Sequence, residues 1–221
     1  MPLGHAGLYC AELLQAELEA GPWRAVYPWR GGLSVRSGDG AEMRLKAGEG
    51  RALGRGAHAL VRNDPAARYF LWEIRGPSAA PPATPGGLAR MASHAMPLLP
   101  GEAAGGAAVL RFERVDLKPG VVTPRHTHRG SGLRVLVSGR LEAEIGEARL
   151  SLRPGDAWLE KGPGEPVIGR AAEGRRTAFV RLLVLPEDCL HRDSFVFLDA
   201  GDPARPKPAA YELFHEERVV L

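Results

Sequence analysis

His126 and His128 stand one residue apart in the stretch PRHTHRGSGLRVLVSG, residues 124–139. On an extended strand, residues i and i+2 point to the same face, so the two imidazoles face one way and Thr127 the other. Such a pair suits a borderline divalent metal, with further ligands arriving from other strands. It equally suits a polar pocket lined by two hydrogen-bonded histidines, and the residues alone leave both readings open. Arg134 lies two residues beyond Gly132 and shares its face on an undistorted strand. A guanidinium turned inward there would suit bidentate capture of a carboxylate or phosphate. A bulge at residues 130–132 would instead turn Arg134 to solvent. Trp158 and Glu160 share a face by the same period of two. Each is a candidate pocket residue, against the plainer roles of packing for Trp158 and salt bridging for Glu160.

The elements that must position these groups are strands. In RLEAEIG, Leu141, Ala143 and Ile145 alternate with Arg140, Glu142 and Glu144, and ARLSLRPGD repeats the pattern. From Ala107 to Val184, turn signals recur every 8–12 residues or so, which describes an antiparallel all-β sandwich or barrel. No long amphipathic helix interrupts it, which excludes a βαβ architecture. Residues 23–75 hold further strand candidates around the turn Ser37-Gly38-Asp39-Gly40. Residues 6–20 carry Leu8, Leu14 and Leu18 at roughly helical spacing, and a short helix ended by Gly21-Pro22 is expected there. Residues 76–106 turn abruptly to Pro, Gly, Ala and Ser. The expected division is therefore 1–75, a linker over 76–106 with LARMASHAMPLL as a strap, and a barrel with tail over 107–221.

Composition narrows the function classes. The chain has 221 residues, 44% hydrophobic and 25% charged, with a net charge of +3. Its basic residues are scattered, so a nucleic-acid footprint is not expected. Cys10 and Cys189 form no CxxC, which fits a reducing compartment. No signal peptide and no apolar run of about 20 residues is evident, so a cytoplasmic, non-membrane protein is expected. Neither a phosphate-binding glycine loop nor a G-x-S-x-G elbow is present.

Over residues 107–185 the chain resembles the cupin superfamily. The first cupin motif, G-x5-H-x-H-x3,4-E-x6-G, is matched in spacing by Gly120, His126, His128, Gly132 and Gly139, and Pro154-Gly155-Asp156 matches the opening of the second. Two positions depart: Gly132 stands where the family has a glutamate ligand, and Pro166, beside Glu165, where it has a later histidine. The resemblance implies an antiparallel double-stranded β-helix, or jelly-roll, barrel. It implies a divalent transition metal (Fe, Zn, Ni, Mn or Cu) on His126 and His128, with Glu165 as candidate third ligand and His94, His191 and His215 as other candidates. Arg134, Gly132, Trp158 and Glu160 are the candidate ligand-binding residues, for a small molecule such as a carboxylate. Residues 23–75 resemble a worn cupin half, with His58 and Asn63 one residue out of the family's spacing, so an incomplete sheet in a degenerate bicupin is expected. The implied function is a metal-dependent enzyme of dioxygenase, isomerase or decarboxylase type, or a non-catalytic small-molecule-binding cupin. The tail from Ser194 to Leu221 has strand-like apolar ends around a Pro-rich middle and could pair with an edge strand of another subunit, so a homodimer is expected.

Overall fold

The computed structural model describes residues 3–11, 15–76, 88–97, 107–199 and 209–221. The chain divides into two compact units, residues 2–96 and 97–221.

The first unit contains β1 (Leu3–Ala11), β2 (Gln15–Leu18), β3 (Trp23–Arg30), β4 (Leu33–Ser37), β5 (Glu42–Leu45), β6 (Arg51–Gly54), β7 (His58–Arg62), β8 (Arg68–Arg75) and β9 (Leu88–Pro97). They form a five-stranded sheet, β6-β3-β8-β1-β9, and a four-stranded sheet, β2-β7-β4-β5. Apolar side chains of both sheets, Tyr9, Leu18, Val35, Leu60 and Leu71 among them, meet in one buried cluster. The unit is thus a two-sheet sandwich rather than the incomplete sheet expected.

The expected helix over residues 6–20 is not formed. β1 runs antiparallel to β8, with His5 opposite Arg75 and Cys10 opposite Phe70. Residues 6–9 are buried on both faces, as in a central strand, and such burial removes the alternation that would have marked a strand. Cross-strand pairing overrides a weak local preference. The strap segment of the expected linker is β9, hydrogen-bonded beside β1; its flanks, 77–87 and 98–106, lie outside the described residues.

The second unit contains β10 (Ala107–Leu117), β11 (His126–His128), β12 (Ser131–Ser138), β13 (Leu141–Ile145), β14 (Ala148–Leu152), β15 (Ala157–Glu160), β16 (Val167–Ala171), β17 (Thr177–Pro186), β18 (Phe195–Phe197) and β19 (Ala209–Val220). Two five-stranded sheets result, β15-β12-β17-β10-β19 and β14-β13-β16-β11-β18. All the strand pairings are antiparallel, and strands far apart in sequence lie side by side, as in a jelly roll. The central strands β12 and β17 read as near-continuous apolar runs because both their faces are buried. β13 is buried at Leu141, Ala143 and Ile145 and turns its charged residues outward. Gly139 and Gly146, at the two ends of β13, have φ of 79° and 57°, the left-handed region that tight turns require. The sheets enclose a core to which Val115, Leu136, Trp158, Val167 and Phe179 contribute. Among the described residues no helix is long and apolar enough to cross a membrane.

Candidate functional site

The histidine strand β11 is three residues long and sits between β16 and β18. His126 lies opposite Val167 on one side and Phe197 on the other, and His128 lies opposite Phe195. Both imidazoles are buried, with ring centroids 5.1 Å apart and planes at 83°. Thr127 points away, and its hydroxyl donates to the Gly162 carbonyl at 2.9 Å, which ties the strand to the turn after β15.

His126 is fixed on two sides. Its Nδ1 lies 2.8 Å from the Pro124 carbonyl, and the Phe195 ring stacks on it at 4.1 Å with planes 10° apart. A carbonyl only accepts, so the proton sits on Nδ1 and the Nε2 lone pair stays free. Among the described residues, Nε2 has no protein partner. His128 has a crowded Nε2: Glu160 Oε2 and Arg181 Nη1 each lie 3.4 Å away.

These contacts belong to a chain of buried charges. Arg134 is wholly buried; its Nη1 donates to the Gly132 carbonyl at 2.6 Å and its Nη2 pairs with Glu160 Oε2 at 2.6 Å. The other oxygen of Glu160 accepts from the Trp158 indole at 3.0 Å. Arg181 lies directly opposite Arg134 on the adjacent strand and opposite Glu113 on the next, and its Nε donates to Glu113 at 2.7 Å. Two guanidinium groups are thus matched by two carboxylates inside the barrel. Burial pushes the Arg134 guanidinium down to about 10, against the pull of Glu160. Burial also works against the charge of Arg181, but Glu113 outweighs it and the guanidinium ends above its ordinary value. Burial lowers His126, the Pro124 hydrogen bond opposing it. Burial, then Arg181 and Arg134, hold His128 well below the ordinary histidine range. Both histidines are therefore neutral at pH 7.

This has a measurable consequence for stability. Both histidines titrate lower in the folded chain than in the unfolded one. Above pH of about 6.5 neither state binds the protons. Below it the unfolded chain takes them up first, so stability falls as pH drops towards the folded values. For two sites the slope approaches about 2.7 kcal/mol per pH unit. The urea midpoint should be lower at pH 5.5 than at pH 7.5, and the difference should shrink in His126→Gln. An equal or higher midpoint at pH 5.5 would show that the histidines are not held neutral.

Beside the histidines lies a small cavity that opens to solvent. Leu141, Trp158, Phe179 and Phe195 give it apolar walls, and His126, Thr123, Arg181 and Tyr211 give it polar edges. Trp158 meets Phe179 edge to face, ring centroids 5.3 Å apart. The Tyr211 ring, from β19, lies 5.6 Å from the Arg181 guanidinium carbon. A neutral imidazole with one open lone pair in such a place can accept a hydrogen bond from a bound molecule or take a proton from it.

Of the residues expected from sequence to form a site, the structure brings together His126, His128, Trp158 and Glu160. Arg134 is inside the barrel but behind Glu160, and the carboxylate it captures is the protein's own. Gly132 is packed tight: a Cβ there would stand 2.3 Å from Leu183 Cδ2 and 3.0 Å from Arg134 Nη1. Glu165 is not brought to the histidines; its carboxylate accepts from the Lys161 amide at 2.7 Å on a surface turn. His191 and His215 pair with Glu216 and Glu217 instead, and the side chain of His94 lies outside the described residues. Residues missed from sequence are Arg181, Glu113, Phe195 and Tyr211. The signal for Arg181 was a lone charge in the apolar run TAFVRLLVLP, every residue of which but the last is buried. Glu113 gave no such signal, because AAVLRFERVDL holds three other charged residues, Arg111, Arg114 and Asp116.

A resident metal does not fit these residues. Among the described residues, no three His, Cys, Asp or Glu side chains converge on a point. The position of the family's glutamate cannot accept even a Cβ without displacing Leu183. The His128 imidazole faces the Arg181 guanidinium, and the paired carboxylates leave no negative surplus to hold a divalent cation.

The Cupin domain family matches residues 113–163. Among solved structures, a Cupin 2 conserved barrel domain protein from Leptotrichia buccalis is similar at 12% identity and a TM-score of 0.52, covering 83% of this chain and 85% of its own. AerE from Microcystis aeruginosa is similar at 11% identity and a TM-score of 0.59, covering 82% and 88%. The salicylate 1,2-dioxygenase of Pseudoaminobacter salicylatoxidans, in its adducts with gentisate, is similar at 14% identity and a TM-score of 0.55, covering 82% and 68%. At such identities these are likenesses of fold. No curated protein matches the chain significantly.

Proposed function

We propose, from the match of residues 113–163 to the Cupin domain family and from the barrel fold shared with solved cupin structures, that the second unit is a binding barrel for a small, largely apolar, uncharged molecule, held without a resident metal. The observation that carries this is the open Nε2 of His126, an acceptor without a protein partner in a cavity walled by Leu141, Trp158, Phe179 and Phe195. Apolar walls with one or two placed polar atoms are what a small-ligand site needs. The ligand class follows from the charges. Arg134 is matched by Glu160 and Arg181 by Glu113, so a carboxylate ligand would have to displace an internal one. A ring bearing a hydroxyl or an N–H suits both the aromatic walls and the lone pair. The metal-dependent dioxygenase, isomerase or decarboxylase reading lacks a third ligand among the described residues. The first unit, whose interior is filled by apolar side chains, is proposed to be structural, in a bicupin arrangement.

Tag-free protein dialysed against EDTA, then offered iron, zinc, nickel, copper or manganese and desalted, should hold far less than one metal per chain. Phenol should raise its melting temperature, with EDTA present, more than benzoate at equal concentration. His126→Phe should abolish the phenol shift, since it keeps a ring stacked on Phe195 but offers no lone pair. Stoichiometric metal in the unmodified protein, or a preference for benzoate, would overturn the reading.

A further inference from the structure

We propose that the ligand of this barrel is two-ended: an uncharged ring sits in the cavity beside His126, and a short chain on that ring carries a hydroxyl or amide N–H into a second pocket, where it donates to Glu113. The inference rests on the reading of the barrel as a site for a small uncharged molecule and adds where the far end of that molecule lies.

The second pocket opens to solvent and is lined by Arg111, Glu113, Arg181, Asp193, Ser194 and Tyr211. Arg181 and Tyr211 line the cavity as well, so the two spaces share a wall. The strands explain why. Alternate residues of a strand face the same way. On β10, Leu117 and Val115 line the cavity, and Glu113 and Arg111, next on that face, line the pocket. β17 passes in the same way from Phe179 to Arg181, and β19 from Ala209 to Tyr211. The registers keep these steps level: Val115 lies opposite Phe179 and Tyr211, and Glu113 opposite Arg181. The inward face of three neighbouring strands is thus apolar at one end and polar at the other. A step of two residues along a strand is about 7 Å, a length that a phenol ring with a two-carbon chain can cover.

The polar atoms still open decide what the far end must be. Arg111 is spent on Glu216 and on the carbonyls of Cys189 and Arg192. Arg181 Nε and Nη2 both go to Glu113 Oε1, at 2.7 and 2.5 Å. The other oxygen, Glu113 Oε2, has no hydrogen-bond partner among the described residues, although the residue is only 5% exposed. Glu113 lines the pocket and not the cavity. The hydroxyl of buried Ser194, on the same pocket, is also without a protein partner among the described residues. Buried acceptors left open favour a ligand that brings a donor. Each guanidinium here is already matched by a carboxylate, so that donor needs no charge. With His126 Nε2 as the acceptor for the ring, the site asks for one donor at each end of the molecule.

The test compares 4-(2-hydroxyethyl)phenol with 4-ethylphenol by titration calorimetry on the full chain, with EDTA present. The two share ring and chain and differ in the terminal hydroxyl. The alcohol should bind about tenfold tighter, the worth of one hydrogen bond to a charged acceptor. In Glu113→Leu/Arg181→Met, which replaces the ion pair by apolar side chains, the order should reverse. Ser194→Ala, which disturbs no charge, should cut the advantage to about threefold and leave 4-ethylphenol binding unchanged. If 4-ethylphenol binds the unmodified protein as tightly as the alcohol or more so, the inference is overturned and the cavity reading stands. An advantage undiminished in both variants overturns it too. If neither phenol binds, the cavity reading and the inference fall together.

Discussion

Glu160→Gln alone should lower the unfolding free energy by about 3–5 kcal/mol, because it leaves the Arg134 guanidinium charged and unmatched in the barrel interior. Arg134 is wholly buried and Glu160 nearly so, and the two are 2.6 Å apart. Solvent is not at hand to take the place of the lost partner. Arg134→Met should cost a similar amount by stranding the carboxylate. The double variant, Arg134→Met/Glu160→Gln, should cost far less than the two singles together, within about 1–2 kcal/mol of the unmodified protein, since an apolar side chain of similar length can fill the space. Urea denaturation of the four proteins at pH 7.5 measures this. Two single variants that each cost under 1 kcal/mol, or costs that simply add, would mean that the pair is not the buried unit described here.

The second large effect is expected at Gly130, in the bend between β11 and β12. A Cβ on Gly130 would stand 2.0 Å from the Val184 carbonyl oxygen and 3.0 Å from Leu185 Cα. Both are backbone atoms of β17, the strand at the centre of its sheet. No rotamer change relieves such a contact, so β17 or the bend has to move. Gly162 closes the other side, with φ of 97° and a would-be Cβ 2.5 Å from the Gly130 carbonyl carbon. Gly130→Ala should therefore cost about 3 kcal/mol or more, above the usual range for overpacking, and it should weaken ligand binding because the histidine strand is anchored at that bend. Gly164→Ala is the control. Its φ is 85° but nothing lies within 4 Å of the added carbon, so only the backbone preference of about 1 kcal/mol is lost. If the two variants unfold at the same urea concentration, the close approach at Gly130 is not real.

The barrel was legible because its signals are local. The strand period places Leu141, Ala143 and Ile145 on one face, and the turn glycines punctuate the run at fixed intervals. The shared face of His126 and His128 follows from the same period. What could not be read is what lies across from them. Arg181 reaches His128 from 53 residues away in sequence, and Glu113 reaches Arg181 from 68 residues away. The face of Arg134 could be stated, but not that its partner would be a carboxylate of the chain rather than of a ligand. The first unit shows the converse failure. Leu8, Leu14 and Leu18 fit a helical spacing, yet β1 is a strand because β8 offers a complete ladder beside it and both its faces are covered.

The position of β10 between β17 and β19 has a consequence for how the cavity comes into being. Leu117 faces Ala209, and Ala107 faces Val220, so this ladder joins segments roughly a hundred residues apart. Closing loops of that length is slow, and contacts of high sequence separation form late in folding. β19 carries Tyr211, part of the polar edge of the cavity. A chain in which the two histidines already line the barrel would still lack one wall of the cavity, which is completed only when its most distant segment brings in Ala209 and Tyr211.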